Sequence, residues 1–220
     1  MTNKITILGA TGDLGREVLL QCLELECSEV TVLARTPSKL AARIAENEKV
    51  TVVQGDALIK ADLKKALPAG TQAILFCIGV DGDSPQDLCT NITKHIVDIM
   101  KERSVDRLIW CGGGSSLLEQ DQITFGAQFV QWFAATFLSK RHYDKVHQLE
   151  YLQQNEVKEG IKWFGVRPLQ MNKGALTKKY RVGYDVFSGT SKISFNDCAH
   201  AMVAMVDHDE WIHEAPIIQY

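Results

Sequence analysis

The sequence predicts an α/β fold, a single domain built on one doubly wound parallel sheet, and three observations carry that prediction. The first is order: short apolar runs rich in β-branched residues alternate with stretches of helical periodicity along the chain. The second is the stretch Ile5-Thr6-Ile7-Leu8-Gly9-Ala10-Thr11-Gly12-Asp13-Leu14-Gly15, where a strand stops at glycine and a helical pattern (Val18, Leu19, Cys22, Leu23) starts at once. The third is size and composition. At 220 residues, 45% hydrophobic and 23% charged, the chain can core one domain with a small C-terminal elaboration, and no repeat or low-complexity linker divides it.

The glycine turn explains itself chemically. Gly9 permits a tight turn, Gly12 leaves room for a pyrophosphate to approach bare backbone, and Gly15 lets the helix pack closely on the strand. The helix start then presents unpaired N–H groups and a partial positive charge to an anion. A second strand over 29–34 is followed by Arg35. In a dinucleotide fold an acidic residue there selects NAD through the ribose 2′-hydroxyl, whereas a guanidinium grips a 2′-phosphate. Thr36, Ser38 and Lys39 add donors, and Arg16 either adds charge or is an exposed helix residue.

Further along, a helix is expected over 38–46 and a third strand over 50–54, ending in Gly55-Asp56-Ala57. Asp56 has two readings, acceptor for an adenine amino group or cap of the next helix. The fourth strand, 73–79, is apolar on both faces, as a central parallel strand should be. A turn-rich loop holding Asp81 and Asp83 leads to a long helix over 86–103, then a fifth strand over 107–111. A helix reaching about Lys158 precedes a sixth strand over 161–168. A short strand from Lys192, a helix capped at Asn196 and an added edge strand from Ala215 complete the elaboration, about residues 168–220.

Several function classes are excluded. A formal charge of −3 without a basic cluster gives nucleic acid no purchase; Lys178-Lys179 with Arg181 is too short. Six dispersed cysteines (22, 27, 77, 89, 111, 198) without Cys-x-x-Cys read as reduced, mostly buried thiols, and no metal-ligand spacing is present. The N-terminal residues carry no secretory pattern, so a cytoplasmic location is expected. Phe125, Phe129, Phe133 and Phe137, every fourth residue of a segment without charges, form an aromatic stripe. Its ordinary reading is core packing; the alternatives are a wall for a flat substrate or a contact in a homo-oligomer. Interspersed Gln122, Gln128, Gln131 and Thr136 speak against a membrane span.

The Gly-Ala-Thr-Gly-x-x-Gly turn, Arg35, Gly55-Asp56, Arg167-Pro168 and Ile193-Ser194-x-x-Asp197-x-Ala199 together resemble the atypical short-chain dehydrogenase/reductase group. This is the NAD(P)H-binding family that includes flavin/biliverdin-IXβ reductases and NmrA-like proteins. The resemblance implies a Rossmann-type NAD(P)-binding fold over 1–220 and NADP(H) as cofactor. Gly9, Thr11, Gly12, Asp13, Leu14 and Gly15 would hold the pyrophosphate, Arg35 and Thr36 the 2′-phosphate, and Asp56, Ala57 and Leu58 the adenine. Cys77, Ile78, Gly79 and Gly112 would flank the nicotinamide ribose, with a rigid or cis turn at Pro168 shaping the pocket edge. In short-chain reductases a hydroxyl after strand five faces the nicotinamide, which nominates Ser115, then Ser116. The family's common acid, a tyrosine four residues before a lysine, is absent after each tyrosine, so proton donation falls to Tyr143 and His147, four apart on one helical face. The expectation is a reductase passing hydride from NADPH to a small, flat aromatic acceptor. Its rivals are an NmrA-like redox sensor that turns nothing over and a sugar-nucleotide epimerase.

Overall fold

A computed structural model describes residues 3–26, 28–105, 107–185 and 192–220. Its centre is the apolar run of β1 (Asn3–Leu8), paired in parallel on one side with β2 (Ser28–Ala34) and on the other with β4 (Ala73–Phe76). β3 (Val50–Gln54) joins β2, and β5 (Arg107–Cys111) and β6 (Lys162–Pro168) extend the sheet beyond β4. The strand order 3-2-1-4-5-6 reverses direction between β1 and β4, which opens a crevice at the carboxyl ends of those two strands.

Side-chain alternation divides the interior into two cores, one per face. Ile5, Ile7, Val30, Val32 and Leu75 pack with Val18, Leu19 and Cys22 of α1 (Asp13–Glu24) on one side. Ile74, Phe76, Leu108 and Trp110 pack on the other. There they meet α3 (Lys60–Ala66), α4 (Leu88–Arg103) and the helix ending at Leu152. Both faces are covered, so the strands read as nearly unbroken apolar runs.

Several boundaries differ from expectation. The helix foreseen over 38–46 is a 3-10 turn (Pro37–Lys39) followed by the short α2 (Ala42–Ala45), because Leu40 adopts extended backbone between them. The stretch before strand six divides into α5 (Phe125–Phe137), α6 (Ser139–Leu152) and α7 (Asn155–Lys158). Beyond β6, β7 (Gln170–Asn172) pairs with β9 (Lys192–Ser194) in a separate small sheet. Ser194, not Asn196, caps α8 (Phe195–Ala204): its hydroxyl accepts from the Asp197 N–H at 2.9 Å. β10 (Ile217–Gln219) is not an edge strand. It lies parallel to β6 and antiparallel to β8 (Arg181–Gly183), fully buried. Cys22, Cys77, Cys89, Cys111 and Cys198 are free, buried thiols, and Cys27 falls outside the described residues.

The aromatic stripe is not core. Phe125, Phe129, Phe133 and Phe137 are 93%, 61%, 44% and 63% exposed, and α5 buries only Ala127 and Ala134. Among the described residues no helix is long and apolar enough to cross a membrane.

Candidate active site

The β1–α1 turn behaves as its glycines require. Gly9 has φ of +89°, a left-handed conformation that side chains rarely adopt, and a Cβ there would sit 2.9 Å from the Cys77 backbone. A Cβ on Gly15 would lie 2.1 Å from the Gly9 carbonyl oxygen, so the helix can approach the strand only without one. Gly12 occupies the N-cap of α1 and offers no side chain to the helix start, whose amides therefore point outward uncapped.

They point into a cavity of about 720 Å³ that runs across the crevice. Gly12, Asp13 and Leu14 line it at the start of α1, as do Cys77, Ile78 and Gly79 after β4, Cys111 at the end of β5 and residues 112–115 beyond it. A Cβ on Gly79 would meet nothing within 4 Å, whereas one on Gly112 would run into the Trp110 ring at 2.6 Å. Gly79 thus keeps the cavity clear, and Gly112 is glycine because of packing behind it. Much of the remaining lining is apolar: Phe129 and Phe133 of α5, Leu138, Leu169, Met171 and Phe195. Here the exposed stripe finds part of its reason, as one wall of the cavity.

The polar groups come from the inner face of α6. Asp144, fully buried, accepts from the Cys89 and Thr90 N–H groups at 2.8 and 2.9 Å and from the Thr90 hydroxyl at 2.8 Å, capping α4 from outside. That docking turns Lys145 inward. Its ammonium donates to the carbonyl oxygens of Ile78 at 3.3 Å and Cys111 at 3.1 Å, bridging the ends of β4 and β5. His142 comes within 3.1 Å of the Ser115 hydroxyl through Nδ1, and burial lowers its pKa below the usual 6.5. At neutral pH the pair is an uncharged serine–imidazole couple facing the cavity.

Other expected residues lie elsewhere. Ser116 is buried away from this cavity, its carbonyl held by Arg167. Tyr143 and His147 stack on one another on the opposite side of α6, and His147 bonds to Asp87 at 2.9 Å. Neither lines the cavity; of α6's residues in that segment it is Arg141, His142 and Lys145 that do. The face of α6 that looks into the cavity is therefore the one carrying His142 and Lys145, not the one shared by Tyr143 and His147. Lys145 has Arg141, not a tyrosine, four residues before it, so the tyrosine–lysine spacing gives no signal at this lysine.

Thr11 is exposed beside the turn, and Arg35 and Thr36 are exposed just past β2, outside the cavity proper. Arg35 lies close enough to Asp81 to help hold that carboxyl below its usual range, an effect led by the hydrogen bond from Ser84. Asp56 accepts from the Leu58 N–H at 2.9 Å, closing a turn ahead of α3, while Ala57 is buried and Leu58 packs on the core. Pro168 lines the cavity as the last residue of β6, and no cis peptide bond occurs among the described residues. Arg167 is fully buried, paired in two-pronged fashion with Asp121 at 2.6 and 2.8 Å. The Arg-Pro pair therefore anchors the loop after β5 as well as ending the strand.

Solved structures share this architecture over essentially the full length. An anaerobilin reductase from Escherichia coli O157:H7 superimposes with a TM-score of 0.78 at 17% identity, covering 99% of this chain and 97% of that one. A proposed NADH-flavin reductase from Streptococcus pneumoniae gives 0.75 at 19%, covering 99% of both. A short-chain dehydrogenase/reductase from Veillonella parvula, solved in complex with NADP, gives 0.79 at 14%, covering 100% and 95%. Residues 9–209 match the profile described as NAD(P)H-binding, and with the glycine turn, the strand order and the crevice in agreement, the chain belongs to that NAD(P)H-binding family.

Proposed function

We propose that the protein is an NADPH-dependent reductase acting on a flat conjugated acceptor of the flavin, linear tetrapyrrole or quinone kind. The observation that carries this reading is the continuity of the cavity. One space joins uncapped helix amides at Gly12–Leu14 to an aromatic and aliphatic chamber around Phe129, Phe133, Leu169 and Phe195. A dinucleotide fits its near end: the helix start suits a diphosphate, and Gly79 leaves open room for a ribose. Lys145, bridging the ends of β4 and β5, fixes the separation of the two loops between which a ribose would lie. Arg35, with Thr36 beside it, supplies a guanidinium beyond β2 for a 2′-phosphate, as NADPH rather than NADH requires. The relatives named as flavin and anaerobilin reductases support the acceptor class.

When bound, the cofactor supplies hydride; this chain supplies orientation, a dry chamber and a proton. The Ser115 hydroxyl and His142 imidazole form the route for that proton, with Ser115 at the cavity surface and His142 behind it. A flat acceptor delocalises the incoming charge over its ring system, which removes the need for a phenol beside one carbonyl carbon. The test is loss of nicotinamide absorbance with NADPH and a panel of flavins, linear tetrapyrroles and quinones. Oxidation by one class supports the reading. Tight NADPH binding with no oxidation by any of them rejects catalysis in favour of a sensor.

A further inference from the structure

We infer that Arg141 is the acceptor's anchor, and that the acceptor carries a pendant oxyanion, a carboxylate or a phosphate, which this guanidinium takes. The inference rests on the reductase reading and names the chemistry of its substrate. Arg141 stands one helical turn before Lys145 on the same face of α6, and both line the cavity. Lys145 spends its donors on Ile78, Cys111 and Gln148. Arg141, exposed along the cavity, has no hydrogen bond and no carboxylate partner among the described residues. It shares the cavity lining with Phe133, Leu138 and Leu169, whose side chains offer a guanidinium no acceptor.

Charge along the cavity points the same way. Among the described residues its lining holds one carboxylate, Asp13, beside the glycine turn. The acceptor end therefore presents an unpaired cation against apolar walls, a combination that suits a flat ring system with an acidic side arm. Four residues before the lysine is also where the family's tyrosine acid would fall. A guanidinium keeps its proton at any physiological pH, so the residue at that place cannot act as the acid. What it can do is bind two oxygens side by side through its planar fork.

The experiment measures equilibrium binding to the protein saturated with NADP+, so that no turnover is needed. FMN is compared with riboflavin, and a linear tetrapyrrole dicarboxylate with its dimethyl ester, in the wild type, Arg141→Gln and Arg141→Lys. The wild type should bind the anionic member of at least one pair on the order of tenfold to a hundredfold more tightly. Arg141→Gln should bring that ratio close to one, Arg141→Lys should restore part of it, and NADP+ affinity should stay that of the wild type. Discrimination in the flavin pair alone identifies phosphate, and in the tetrapyrrole pair alone carboxylate. Equal binding within both pairs, no binding of any of the four, or a preference that survives in Arg141→Gln overturns the inference. So does a parallel loss of NADP+ affinity, which would place the guanidinium on the cofactor. Failure of NADPH oxidation, by contrast, removes the reductase reading and leaves the binding comparison intact.

Discussion

Replacing Asp121 by asparagine puts the buried Arg167 to the test. Both side chains are fully buried, with Nη2···Oδ1 at 2.6 Å and Nη1···Oδ2 at 2.8 Å. Asp121 also accepts from the Leu118 N–H at 2.7 Å, while Arg167 donates to the carbonyl oxygens of Ser116 and Ala215. The amide keeps the shape but leaves the guanidinium without a counter-charge. Breaking one partner of such a pair costs about 3–5 kcal/mol, which for a chain of this length lowers Tm by roughly 6–20 °C. The double variant Arg167→Met/Asp121→Leu removes both charges. It should lose clearly less than the sum of the singles, although the Leu118 N–H and the two carbonyls are then unpaired at about 1–3 kcal/mol each. Urea unfolding of the wild type, Asp121→Asn, the singles Asp121→Leu and Arg167→Met, and the double gives the coupling directly. A loss under about 1 kcal/mol for Asp121→Asn, or strict additivity, would show that the pair does not hold the loop after β5.

Other substitutions separate binding from folding. Arg35→Ala should weaken NADPH by about 1.5–3 kcal/mol while hardly changing NADH, as a charge-assisted contact to a 2′-phosphate demands; equal losses by calorimetry would remove Arg35 from that role. Gly15→Ala forces a Cβ to within 2.1 Å of a carbonyl and should destabilise by about 1–3 kcal/mol. Gly79→Val meets open space, so its Tm should hold while dinucleotide affinity falls. Burial lowers the pKa of both His142 and His200, so the unfolded chain takes up protons that the folded one resists. Their contribution is complete above about pH 6.5 and is lost as pH drops below it, and His142→Asn should flatten the fall of Tm between pH 7 and 5. Ser115→Ala should lower turnover with NADPH affinity nearly unchanged; full turnover would discard the serine–histidine route.

Much of this protein is legible along the chain because parallel strands covered on both faces leave continuous apolar signatures. β1, β2, β3 and β5 lie within a residue or two of expectation for that reason, and the glycines at 9 and 15 serve the geometry that their spacing implied. The residues missed share a different cause. Asp144, Lys145 and His142 sit in a segment so polar that it reads as a solvated helix start, yet the first two are 0% and 6% exposed. Their burial is decided by α4, which offers Asp144 two uncapped amides some fifty residues away. Likewise the phenylalanine stripe has core composition but lies on the surface, because α5 docks through Ala127 and Ala134.

The division follows from the range of the forces involved. Residue order alone determined the doubly wound sheet, the glycine turn and the guanidinium after β2, since each depends on local backbone freedom and on side-chain periodicity of two or about four. Tertiary packing alone decided which of two neighbouring serines reaches the cavity, which face of α6 looks inward, and that β10 is enclosed rather than at an edge. Those outcomes turn on hydrogen bonds and contacts between segments far apart in the chain, such as Arg167 with Asp121 and Asp144 with Thr90, and no local pattern encodes them.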